Sequence, residues 1–155
     1  MSSPKQQELQ DAISYLMEGF PDKSMLDYSS DSTKYLDSLM DDQFENGQVK
    51  NKDSGFAKYQ GVILTGIAGY LAEVILRGSK DSILDIDEEA ENWYLNFKVT
   101  GANGWTVQPG QRVIKRIQQG NEAGFYGYIL SAIKYLSQDK NELPANTYTE
   151  EVYVR

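Results

Sequence analysis

The side chains with the most evident capacity for chemistry in this sequence are carboxylates, and they form two clusters. Oxygen-rich loops can bind Ca²⁺ or Mg²⁺, but an EF-hand needs alternating ligands around a central glycine. In the denser cluster, over residues 85–91, Ile86 and Ala90 interrupt the acidic run and that glycine is missing. A solvated loop is therefore the simplest interpretation of this run, and we predict no metal or cofactor. The candidates for an acidic face that contacts a partner are either Asp37, Asp41, Asp42 and Glu45, or the loop with Asp85, Asp87, Glu88 and Glu89.

The sequence contains no histidine and no cysteine. Their absence excludes imidazole bases, His-dependent triads, thiol nucleophiles, disulfides and the usual zinc sites. Two carboxylates in unequal environments can still act as acid and base, although the adjacent Asp41 and Asp42 would diverge on a helix. We predict that the protein is not an enzyme, and a carboxylate-based hydrolase is the less favoured alternative.

The concentrated cations are Arg112, Lys115 and Arg116, of which the two arginines lie one helical turn apart. They could bind a phosphate or carboxylate, which makes a small-molecule or anion-binding regulatory domain a second hypothesis. The interpretation we prefer is structural ion pairing of Glu73, Arg112 and Arg116. Glu73 lies among apolar neighbours, and a buried carboxylate needs a partner.

The formal net charge is −8. This balance opposes binding to nucleic acid, which requires excess cations, and it would attract a basic protein partner. The first ten residues lack the apolar run of a secretory signal. The longest apolar stretch, Val62 to Leu76, is shorter than the roughly 20 residues of a membrane span. We expect a cytoplasmic protein with a buried core helix and neither membrane nor nucleic acid as a partner.

Apolar residues recur at helical spacing in five segments, which predicts helices over residues 6–19, 29–46, 56–77, 109–120 and 121–136. A strand is predicted at Ser82–Ile86. A second strand is predicted at Trp93–Val99, where apolar residues recur at every second position. Asn103-Gly104 is a hairpin signal, with a return strand at Trp105 and Val107.

The order of helices, strands and helices predicts an α+β fold, with a small antiparallel meander packed against a mainly helical bundle. We expect a single domain over residues 1–155, in which residues 1–4 and 145–155 are loosely attached. Residues 147–154 could instead form an edge strand, and the sequence leaves both possibilities open.

Three segments resemble a family of small bacterial domains of unknown function that includes immunity-like proteins of toxin systems. They are Asp27-Tyr28-Ser29 with Ser32, Leu36 and Asp37; Gly69 to Ile75; and Trp105, Pro109, Arg112-Val113, Lys115-Arg116-Ile117 and Gly120. The resemblance spans residues 27–136, implies an α+β fold and brings no catalytic residue. Ala72 stands where a glycine is expected in the family.

Charge and resemblance together favour an acidic protein-binding module. The most concrete form of this hypothesis is an immunity protein that binds and neutralises a secreted bacterial toxin through an acidic face opposite a basic toxin domain. We expect tyrosine and tryptophan side chains to anchor the centre of such an interface.

Overall fold

A computed structural model describes residues 3–139, and it confirms an α+β fold. The helices are α1 Pro4–Glu18, α2 Thr33–Gln43, α3 Gly55–Lys58, α4 Gln60–Gly78, α5 Trp93–Asn96, α6 Pro109–Gln119 and α7 Phe125–Ser137. The strands are β1 Phe44–Glu45, β2 Gln48–Val49, β3 Ile83–Asp85, β4 Lys98–Thr100 and β5 Thr106–Val107. Short 3-10 turns cover Lys23–Met25 and Gly120–Ala123. The tail predicted to be loose or an edge strand lies outside the described residues.

The predicted meander is an antiparallel sheet in the order β3-β4-β5. Its central strand pairs Val99 with Leu84 on one side and with Val107 on the other. Val99 and Val107 are fully buried, and the sheet packs on α4. Burial of one face is what allows so short a sheet to persist, because isolated hairpins are marginal in water.

The strand predicted over Trp93–Val99 is wrong in its first half. Residues Trp93–Asn96 form the helical turn α5, and the strand begins only at Lys98. Trp93 and Phe97 are both buried, and their spacing of four residues suits one face of a helical turn as well as it suits alternation along a strand. A short apolar pattern does not separate these two periods.

The second predicted helix also ends earlier than expected. Helix α2 stops at Gln43, and Asn46-Gly47 forms the turn of a small hairpin in which Phe44 pairs with Val49. Both turn residues have positive φ, 53° and 80°, as required at the two central positions of a type I′ hairpin turn. The helical stripe of α2 therefore passes directly into a strand.

Helix α4 is the centre of the core and packs against α1, α6 and α7. Two of its small residues, Gly66 and Gly69, let α1 approach closely. A Cβ at Gly66 would overlap the backbone carbonyl of Ala12 in α1, and a Cβ at Gly69 would press on the Leu9 side chain. The α1–α4 contact is thus a backbone-to-backbone approach.

Of the helices in the described range 3–139, α4 alone is long and apolar enough to cross a membrane by length and composition. Half of the apolar stretch of this helix is buried inside the protein. A core helix of a soluble protein has these properties as well, so the finding is weak evidence for a span.

Candidate functional site

The predicted structural cation Arg116 is held inside the fold by two carboxylates of α2. Its Nε donates to Asp37 Oδ1 at 2.9 Å, and its Nη2 donates to Asp41 Oδ1 at 2.7 Å and to Asn121 Oδ1 at 3.0 Å. The Arg116 side chain is only 3% exposed. Burial alone would lower the pKa of Arg116, but the hydrogen bonds that it donates to Asp41 and Asp37 outweigh burial and raise the pKa, so the guanidinium stays charged.

Asp37, a predicted partner-binding residue, instead belongs to the interior. Besides Arg116, its carboxylate accepts hydrogen bonds from the backbone N–H groups of Phe125 and Tyr126, with the shortest at 2.9 Å. Because these N–H groups lie in the first turn of α7, they have no acceptor within that helix. Asp37 therefore caps α7 from another helix, and the α7 dipole favours its negative charge. Only 20% of its side chain is exposed, so it contributes little to an acidic surface.

Glu73 does not pair with the cations of α6. Its Oε1 accepts from Arg77 Nε one turn along α4 at 3.0 Å, and the pair is partly exposed. The Arg77 guanidinium also lies 3.9 Å from the Tyr28 ring centroid, an attractive cation–π geometry. The prediction of a buried partner in α6 is wrong because Glu73 lies on the solvent side of α4, where it needs no partner from the core.

Arg112 is buried with 5% exposure, and its Cζ lies 4.5 Å from the Tyr128 ring centroid. Arg112 and Arg116 thus both point into the fold. Two carboxylates already neutralise Arg116, so the helix face that carries both arginines offers no exposed positive surface to an anion. This geometry does not favour the anion-binding hypothesis.

The segments that carry the family resemblance meet in space. Tyr70 Oη accepts from the backbone N–H of Tyr28 at 2.8 Å and shares a 2.6 Å hydrogen bond with Ser32 Oγ. Burial raises the pKa of Tyr70 above its usual value, against the lowering effect of these hydrogen bonds. Through Asp37 and Arg116, α2 is in turn linked to α6. The hydrogen bonds of these residues therefore connect α2 to α4 and to α6.

The acidic loop at residues 85–91 is also partly structural. Glu88 accepts from Ser3 Oγ at 2.6 Å and from the Lys5 backbone N–H at 3.1 Å, so it satisfies donors at the start of α1. Asp87 accepts from the Glu89 backbone N–H at 3.0 Å within the loop. Asp85, Asp87 and Glu89 remain exposed.

At the opposite end of α1 lies an open, largely apolar groove with a volume of about 610 Å³. Helix α1, about 22 Å long, separates it from the acidic loop. Its apolar walls come from the ends of α1 and α2, from α3 and from the start of α4, and they comprise Tyr15, Leu16, Phe20, Pro21, Leu39, Phe56, Tyr59 and Ile63. We refer to this feature as the aromatic groove.

The aromatic groove carries a negative electrostatic bias. Both α1 and α2 end at it, at Glu18 and Gln43, and neither has a basic residue in its last turn. Helix C-termini carry partial negative charge, and cations are favourable there. Here Glu18 and Asp42 add full negative charges instead, and among the described lining residues Glu18 is the only charged one. Such an arrangement costs stability in the isolated protein.

This cost predicts that charge removal has opposite effects at the C-terminal ends of α1 and α2 and at the start of α2. Glu18→Gln and Asp42→Asn should each raise the free energy of unfolding by about 0.5 kcal/mol, because they remove a charge repelled by a helix C-terminus. Asp31→Asn, at the start of α2, should lower it by a few tenths, since Asp31 lies at the favourable end and pairs with Lys34. Urea denaturation measures whether each substitution raises or lowers the free energy of unfolding. A loss of stability in Glu18→Gln and Asp42→Asn would contradict this electrostatic interpretation.

The exposed acidic candidates do not share one surface. Asp42 directly precedes Gln43, which lines the aromatic groove, whereas Glu45 lines a separate concavity with Asp41 and Arg116. Between them, Phe44 packs edge-on against Phe56 with ring centroids 5.5 Å apart. Asp41 is half exposed but is paired with Arg116. Among the described residues, no group of three or more His, Cys, Asp or Glu side chains could hold a metal ion.

Sequence reasoning missed the aromatic groove and Glu18. Tyr15 and Tyr59 are 42% and 45% exposed, with ring centroids 5.9 Å apart. Tyr15 falls outside the apolar stripe of α1 formed by Leu9, Ile13 and Leu16, which was an available signal. The convergence of the α1 and α2 ends depends on tertiary packing and had no local signature.

No protein-family model matches this chain, and neither a curated protein nor a solved structure is significantly similar to it. The resemblance to the immunity-like family therefore stays a prediction from the three sequence segments.

Proposed function

We propose that this chain is an acidic protein-binding module that acts in the cytoplasm. The observation that carries the proposal is the aromatic groove, which is flanked by carboxylates that the fold does not neutralise. Exposed aromatic side chains in a concave apolar surface are typical of binding hot spots. The carboxylates beside them would steer a basic partner and slow the approach of an acidic one.

The more specific proposal is an immunity protein that binds and neutralises a secreted bacterial toxin. It is supported by the sequence resemblance over residues 27–136 and by the net charge of −8, which suits a basic toxin domain. The interior roles of Asp37 and Arg116 are compatible with it, since those groups stabilise the scaffold and leave binding to the surface.

The test is neutralisation of the protein encoded by the reading frame adjacent to this chain. Expressed alone, that protein should arrest bacterial growth, and co-expression of this chain should restore growth through a direct complex. If the adjacent product is harmless, or remains toxic in the presence of this chain, the immunity proposal is overturned.

Charge reversal locates the acidic surface. Glu18→Lys with Asp42→Lys should weaken the complex by at least about tenfold, mainly through slower association, and the deficit should shrink at high salt. The matched control, Asp85→Lys with Asp87→Lys, makes the same charge change at the other end of α1 and should alter affinity by less than about twofold. Surface plasmon resonance at two salt concentrations measures both. Equal losses for the two pairs would show that net charge, and not the groove end, governs binding.

A further inference from the structure

We infer that the aromatic groove binds a cationic segment of the partner, in which one or two apolar side chains are flanked by Lys or Arg. This inference rests on the proposed function and specifies which part of a partner this surface accepts. The binding site is then the groove together with the acidic residues around it.

The apolar side of the inference comes from exposed aromatic side chains at the groove rim. The Tyr15 and Tyr59 rings contact each other there, and they are 42% and 45% exposed. A monomeric protein leaves few large apolar side chains contiguous on its surface unless they contact something. The groove volume of about 610 Å³ is sufficient for several side chains of a bound segment.

The cationic side comes from the two helix ends. A Lys or Arg next to the apolar anchor would lie near the C-termini of α1 and α2 and near Glu18, which supply negative potential without a neutralising base in either last turn. The aromatic rim is also suited to cations: Lys58 Nζ lies 5.3 Å from the Tyr59 ring centroid. Lys58 is the nearby positive charge on α3, and it does not line the groove.

Charge also argues against a second copy of this chain as the occupant. Two copies, each with a net charge of −8, would bring like charges together at an apolar contact that already carries Glu18. A heterologous partner with cations at the contact removes this repulsion.

Two glycines provide a matched pair of variants. Gly55 lines the groove, and a Cβ there would meet open space, so Gly55→Arg should add a bulky cation to the groove wall. Gly127 lies on the exposed face of α7, also with open space at Cβ, and does not line the groove. Gly127→Arg therefore makes the same charge change away from the site. Neither glycine has a positive φ.

The experiment selects binders from a random peptide library displayed on phage, with the full chain as bait. We expect enriched peptides to combine apolar residues with a net positive charge. Synthetic versions should lose at least about tenfold in affinity for Gly55→Arg and less than about twofold for Gly127→Arg. Fluorescence anisotropy measures both affinities, and thermal melting checks that the variants are folded.

Other outcomes overturn the inference. No enrichment, enrichment of neutral or acidic peptides, equal binding to Gly55→Arg and wild type, or self-association of the bait through this surface would each contradict it. Its failure is distinguishable from failure of the proposed function. A toxin that is still neutralised by Gly55→Arg leaves the immunity proposal in place and removes only the groove as its site.

Discussion

Asp37→Ala is expected to lower the free energy of unfolding by about 3 kcal/mol. The substitution removes the more buried of the two carboxylate partners of Arg116, whose own side chain is 3% exposed, and a buried charge that loses such a partner is costly. It also leaves the Phe125 and Tyr126 N–H groups at the start of α7 without their acceptor, and loss of a helix cap costs about 1 kcal/mol on its own.

Asp41→Ala is the matched control for Asp37→Ala. Asp41 contacts the same guanidinium, at 2.7 Å, but its side chain is half exposed and it caps no helix. Its loss should cost about 1 kcal/mol or less, because water can replace it. Urea denaturation of both variants gives the comparison. Equal destabilisation by the two substitutions would show that the cap and the burial of Asp37 contribute nothing.

The second large effect is expected at the α1–α4 contact. Gly66→Ala should destabilise the protein by about 2 kcal/mol, since its Cβ would overlap the Ala12 carbonyl and the two helix backbones would have to separate. Gly61→Ala lies on the same helix where a Cβ meets open space, and it should be neutral or stabilising by up to about 1 kcal/mol. Thermal melting measures the difference, and a Gly66→Ala variant as stable as Gly61→Ala would contradict the close approach.

The sequence predicted those elements whose apolar periodicity is long and has clear stops. Helix α4 was predicted over 56–77 from its nearly continuous apolar residues, and the structure places it at Gln60–Gly78 after the short α3. Short segments were harder. Residues Trp93–Val99 satisfied a strand period and a helical turn together, and the wider packing of Trp93 and Phe97 in the core decided between them.

The ion pairs of Arg116 and Glu73 could be predicted only in part from the sequence. The position of Arg116 beside the apolar stripe of α6 predicts a cation paired with carboxylates, and the structure places its side chain, 3% exposed, against Asp37 and Asp41. The identity of its partners could not be read from the sequence, since Asp37 and Asp41 are more than seventy residues away. Glu73 seemed the natural partner by hydrophobic context alone, yet Arg77, four residues along the same helix, lies closer.

The candidate site was the least predictable part. Glu18 was not predicted at all. Residue type alone also does not distinguish Asp37 and Glu88, which cap helices, from Asp42 and Glu45, which remain exposed. The aromatic groove arises only when the ends of α1 and α2 meet α3, which is a consequence of tertiary packing.

The central claim is that uncompensated negative charge at the ends of α1 and α2 is retained for binding a cationic partner. The most direct test measures stability and partner affinity together in the double variant Glu18→Gln with Asp42→Asn. We predict a higher free energy of unfolding and slower, weaker association with the proposed partner, the product of the adjacent reading frame. A double variant that is more stable and binds that product as well as the wild type would contradict the claim.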